Sequence, residues 1–313
     1  EEIIVARLPQ TGDGAPQAEA SGFSLPELPV SIKVDRVAAE RIELAESVLG
    51  QPVTGTLDAS VQLVGGEGQA RLDLVRTGAG PAGQITLDAV YSNATRVLGL
   101  DLVAEEDAEG IVVNLLDIPG KPSALLQVQG EGPIEDFLAN VLLATDGAER
   151  LQGTVQIMAA DPSGHRLLAE VSGDLAPLLA PEQVEFFGND VALKLDARRT
   201  VAGRTAVDHF DLTTRSLALS GTAEIAADGL PEWFDVTGTL AAPDGEPVAL
   251  PFVANTKLAR ADFRLKTQPG REGWSGEISL EGLDRADLKL ARAELRGSGR
   301  IGRTSAGNSF GGT

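Results

Sequence analysis

The chain has 313 residues, 42% of them hydrophobic and only 4% aromatic, and a formal net charge of −20 at pH 7. That length suffices for one large or two ordinary domains. The acidic balance argues against nucleic acid, whose affinity rests on Lys and Arg at phosphates, and against docking on an anionic membrane surface. With no cysteine, a disulfide framework, a zinc–thiolate site and a thiol nucleophile are excluded.

The chain opens on EEIIVARL, a strand-like run with no Met and no signal peptide, and reads as an internal piece of something longer. Residues 9–29, rich in Pro, Gly and small polar side chains, read as a loop or linker. The expected organisation is an entry strand with this loop over 1–29, a continuous β-structure over 30–300, and a truncated end over 301–313 leading to further strands. Segment 36–50 follows VSIKVD in strand phase and reads as two strands, with a helix as the rival. In 57–63, Leu57, Ala59, Val61 and Leu63 point one way and Asp58, Ser60 and Gln62 the other. The same alternation marks Ile85 and Leu87, then Leu98, Leu100 and Leu102. It returns with Val155 and Ile157, Leu193 and Leu195, Leu217, Leu219 and Ile225, and Leu288 and Leu290. Segment 132–144 reads as a helical turn after Pro133 that returns to strand. PEQVEFFG (181–188) reads as a short helix, with Pro in its first turn and Gly at its end. Turn signals such as GGEG (65–68), DPSG (161–164) and PDG (243–245) separate the runs. The rhythm predicts roughly eighteen strands in a mostly antiparallel all-β protein with few short helices. No apolar run approaches the roughly 18 residues of a membrane helix.

A glycine recurs inside the apolar alternation, at Gly55, Gly153, Gly221, Gly238 and Gly276. The spacing is irregular, which argues against a constant repeat. Glycine on the apolar face removes a side chain where a strand bends or where something approaches closely. Two readings follow: a bulge or corner of an ordinary sandwich, or a strand curving around a trough, with these five glycines as its corners.

The motifs for chemistry are weak. GSGRIG (297–302) matches a dinucleotide fingerprint, but no helical pattern follows it. GGEGQA lacks the lysine of a phosphate loop. His165 and His209 lie in separate strand-like segments without a nucleophile elbow and read as surface residues. EEDAEG (105–110) lacks the EF-hand spacing and reads as a solvated turn. Asn93-Ala94-Thr95 is a glycosylation sequon of a kind that chance often produces. No catalytic residue, metal ligand or cofactor is assigned.

VSIKVDRVAAERIELAESVLG (30–50), VSGDLAPLLAPEQVEFFGNDVALKLDA (171–197) and LALSGTAEIAADGLPEWFDVTGTLAAPDG (217–245) together resemble the TamB branch of the AsmA-like proteins of Gram-negative envelopes, over residues 28 to 300. The resemblance implies an elongated, U-shaped β-trough, polar outside and apolar inside, in a long periplasmic protein anchored in the inner membrane. It implies phospholipid carried between the two membranes, and a role in outer-membrane protein assembly beside a β-barrel partner of the TamA type. The alternating aliphatic residues named above would then line the groove. The competing reading is a structural or adhesive β-rich segment with a closed, dry core. A trough of this kind does not close on itself, so exposed strand edges at its two ends favour end-to-end association.

Overall fold

The protein is described by a computed structural model over residues 2–5, 32–46, 52–160, 164–200, 203–227, 229, 231–251, 253, 255–267, 273–286, 288–304 and 307–312. The expected loop over 9–29 and most of the turns DPSG and QPGREG lie outside them. Among the described residues the fold is all-β: twenty strands, two short α-helices and one 3-10 turn. The contacts divide the chain into two compact units, Glu1–Ala159 and Ala160–Thr313, so the run expected over 30–300 is shared between them.

In the first unit, β1 (Glu2–Val5) pairs in parallel with β2 (Ile32–Leu44). All other pairings of the unit are antiparallel between neighbours in sequence. They run through β3 (Val53–Val64), β4 (Glu67–Arg76), β5 (Gly83–Ser92), β6 (Val97–Glu106), β7 (Ala124–Pro133), β8 (Asp136–Thr145) and β9 (Ala148–Ala160). Two expectations are corrected. Segment 36–44 is part of one strand rather than two, because β2 absorbs register shifts between Val34 and Val37 and between Ala39 and Ile42 without breaking. After Pro133 there is no helical turn: Ile134 and Glu135 close a two-residue hairpin from β7 to β8.

One element escaped the sequence pattern. Between β6 and β7 lies a five-residue helix, α1 (Ile111–Leu115). Such a helix is too short to be stable by itself and too short to show a period, so docking decides it. Val113 is fully buried. The N–H groups of Ile111 and Val112 donate to the Glu106 carboxylate at 2.7 Å each, satisfying two donors that a helix start leaves orphaned. EEDAEG is therefore more than a solvated turn: its second Glu holds a helix in place.

In the second unit, β10 (Gly164–Gly173), β11 (Val191–Thr200), β12 (Thr205–Thr213), β13 (Leu217–Ile225) and β14 (Pro231–Leu240) form an antiparallel run. The run continues through β17 (Arg260–Thr267), β18 (Gly273–Arg285), β19 (Leu288–Thr304) and β20 (Gly307–Gly312). The short β15 (Val248–Ala249) and β16 (Thr256–Leu258) branch off between β14 and β17. GSGRIG falls inside β19, and among the described residues the element after it is the strand β20. Helix α2 (Pro181–Phe187) forms as the sequence predicts and ends at Gly188, where φ is 68°. Phe186 joins Leu240, Val248, Leu258 and Ala261 in a buried cluster against which Leu217, Leu280 and Leu283 pack. One end of this unit's apolar face is thereby closed.

Candidate functional site

In the first unit the register carries the alternation across seven strands, β3 to β9. Leu57, Leu74, Ile85, Ala104, Leu126, Leu143 and Leu151 form one cross-strand row. The next holds Ala59, Leu72, Leu87, Leu102, Val128, Val141 and Gly153, and a third Val61, Ala70, Ala89, Leu100, Gly130, Ala139 and Val155. A fourth brings Leu63, Gly68, Tyr91 and Leu98 together, with Ile157 opposite Phe137. The predicted groove residues of this unit thus share one face. The other face is a ladder of polar pairs, such as Arg71 to Asp88 at 2.6 Å and Gln129 to Asp101 at 3.1 Å.

This apolar face is not covered as a core would be. Val61, Ile85, Leu126 and Ile157 are 46%, 38%, 37% and 42% exposed. A contiguous apolar surface left partly open marks a place where something binds. At the α1 end it deepens into a cavity of about 360 Å³ lined mainly by aliphatic side chains, among them Ile42, Leu74, Ile85, Leu126, Leu143 and Ile111. Of the predicted lining residues, Ile85 reaches this cavity, and Gly55 lies in its wall. Leu74, Leu126 and Leu143 were missed, although the alternation of 70–76 and 124–128 carries the same signal. Arg76, which also lines it, has no such signal.

In the second unit, Val171, Leu193, Leu212, Leu219, Gly238, Phe263, Ile278 and Leu295 form a row. Beside it run Ala169, Leu195, Phe210, Gly221, Val236, Leu265, Gly276 and Gly297. Leu217 and Ile225 share the parity of Leu219 in β13, opposite Leu240 and Pro231. Leu288 and Leu290 stand opposite Arg285 and Leu283 of β18, and Leu283 packs against the buried cluster.

The glycines serve two purposes. A Cβ at Gly55 would come within 2.8 Å of the Val75 carbonyl oxygen, and one at Gly221 within 2.9 Å of Val236 Cα. There, backbone approaches backbone more closely than a side chain permits. At Gly238 the intruder is a ring: a Cβ would lie 2.7 Å from Phe263 Cε1. At Gly276 it is Leu265, whose Cδ2 would be 2.6 Å away. Gly153 stands opposite Val141. On the second unit's apolar face, therefore, part of the space that glycine leaves is filled by a large side chain from the next strand.

The polar face of the second unit forms a larger hollow, about 580 Å³, lined by residues that include Asp211, Ser220, Thr237, Asp262, Arg264 and Glu277. Arg264 pairs with Asp235 at 2.6 Å and Arg260 with Asp262 at 2.7 Å. Its walls do not suit an alkyl chain. The Arg166 guanidinium, hydrogen-bonded to Asp196 at 2.8 Å, holds that carboxyl below the usual carboxylate range. Asp262 is lowered likewise, by its hydrogen bond to Arg260. His165 and His209 are exposed. Among the described residues no group of three or more His, Asp or Glu is placed to hold a metal ion, and no helix is long and apolar enough to cross a membrane. No family model, curated protein or solved structure matches this chain.

Proposed function

We propose that this protein is a segment of a lipid-carrying β-trough of the TamB branch of the AsmA-like proteins. Its apolar face would hold the acyl chains of phospholipid in transit across a periplasm, in a parent anchored in the inner membrane. The observation that carries this reading is the first unit's aliphatic face, continuous over seven strands, partly open, and deepened into a cavity of about 360 Å³. Aliphatic walls suit chains that make no directional bonds, and burial contributes about 0.8 kcal/mol per methylene. A role in outer-membrane protein assembly beside a barrel of the TamA type belongs to the same proposal. The test is mass spectrometry of organic extracts from the purified protein. Copurified phospholipid, lost when Leu126 becomes Asp in a protein that still melts cooperatively, supports the reading. An empty wild type, which also takes up no lipid from vesicles, overturns it.

A second reading, a structural or adhesive β segment with a dry core, rests on the cluster of Phe186, Leu240, Val248, Leu258 and Ala261 and on the rings and leucine packed over Gly221, Gly238 and Gly276. Under that reading neither unit takes up lipid.

A further inference from the structure

Arg76 is the last residue of β4, on the parity of Leu72 and Leu74, and stands opposite Gly55 at the edge of the first unit's apolar face. Its side chain lines the 360 Å³ cavity. Its Nε is buried and has no hydrogen-bond partner. The setting is unusual for this chain. Among the described arginines of the unit, Arg36, Arg41, Arg71 and Arg96 each pair with a carboxylate, and Arg150 donates to Thr145. The nearby Glu106 is engaged elsewhere, since both its carboxylate oxygens accept from the start of α1. Gly80, with φ of 131°, lies so close to the guanidinium that a Cβ there would sit 3.0 Å from Arg76 Cζ, so the loop backs the side chain.

A guanidinium stays charged at any accessible pH, and a charge with buried donors left unpaired is costly. In a protein of net charge −20, acidic partners are plentiful, yet none reaches this one among the described residues. A cation at the mouth of an aliphatic cavity complements one kind of ligand: an alkyl chain that ends in an oxyanion. Guanidinium presents paired donors in a plane, which match two oxygens of one phosphate.

We propose that Arg76 binds the phosphate of an acyl lipid whose chain enters this cavity, and so makes the groove selective for phosphate-bearing lipids over neutral ones. The proposal rests on the lipid-groove reading above and adds a headgroup site to it. The test is displacement of the neutral apolar dye N-phenylnaphthylamine from the full chain, in matched titrations with oleoyl lysophosphatidylglycerol and with monoolein, which share the chain but not the phosphate. The wild type should favour the phospholipid by about tenfold, which is about 1.4 kcal/mol. Arg76→Gln should erase the preference while dye binding persists, and Arg76→Lys should keep part of it. Inorganic phosphate without a chain should leave the dye bound. Equal potency of the two lipids in the wild type, or a preference that survives in Arg76→Gln, overturns the headgroup site and leaves the groove standing. A wild type that binds no dye and neither lipid overturns the groove reading, and this proposal with it. If Arg76→Gln fails to fold, the lysine variant and the wild-type lipid preference decide the matter.

Discussion

Replacing Gly238 with Ala tests why glycines sit on the apolar face of this protein. The new methyl would come 2.7 Å from Cε1 and 2.8 Å from Cε2 of Phe263, and the ring must leave its place. Overpacking of this kind costs about 1–3 kcal/mol. Alanine regains about 0.4–1 kcal/mol by restricting the unfolded chain. The net loss should be about 1–2 kcal/mol, or roughly 2–8 °C in the melting temperature of a unit this size. Both tryptophans of the chain, Trp233 and Trp274, lie in the second unit, so their fluorescence follows this unit without labels. The deciding variant is the pair Gly238→Ala with Phe263→Leu, since leucine lacks the ring atoms that collide. The two changes should couple favourably by about 1 kcal/mol. Gly221→Ala should behave differently, because its methyl would meet the backbone at Val236 Cα. It should cost about 3 kcal/mol, and trimming Phe210 should not restore it. A Gly238→Ala variant as stable as the wild type, or strict additivity with Phe263→Leu, would refute the account of glycine as a seat for the neighbouring ring.

The remaining predictions concern the groove, pH, the α1 cap and association. Leu126→Asp, at a position 37% exposed, should cost under about 1.5 kcal/mol yet block dye uptake, whereas Leu258→Asp, 3% exposed, should unfold the second unit; chemical denaturation with dye binding separates the two. Asp196 and Asp262 titrate below their ordinary value of 3.8. They therefore stabilise the second unit fully above about pH 4, and that stability is lost as the pH falls through their lowered folded values. Tryptophan melts between pH 5 and pH 2.5 should show this loss, and Asp196→Asn should shrink it. Glu106→Ala removes the acceptor for the two leading N–H groups of α1; it should raise hydrogen exchange at 111–115 while leaving β2 to β5 protected, and a uniform rise would contradict the capping role. Leu295 is 52% exposed on β19, beyond the stretch 299–304 that pairs with β20. The net charge opposes self-association less as salt screens it, so sedimentation should show a dimer fraction that grows with ionic strength and falls in Leu295→Lys. A strict monomer at every salt concentration would contradict it.

The alternation in segments such as LDASVQL and ITLDAVY determined by itself that the protein is all-β with one apolar and one polar face. Side chains in a strand must alternate, and a face that meets water cannot be aliphatic without cost. Pro181 and Gly188 likewise marked both ends of α2. The strand over 32–44 was legible as strand but not as one piece, since its bulges depend on the partner register. Helix α1 was not legible, because five residues hold no period and its stability comes from Glu106 and from the burial of Val113. The glycines were visible as a pattern, but their purpose was not. Whether Gly238 clears a bend or seats a ring depends on which residue the next strand places opposite it, and only the pairing with Phe263 decides that. Arg76 reads in sequence as one more surface charge in an acidic chain. Its meaning lies in the acceptors that fail to reach it and in the aliphatic walls beside it, and both come from strands separated along the chain and brought together by the register.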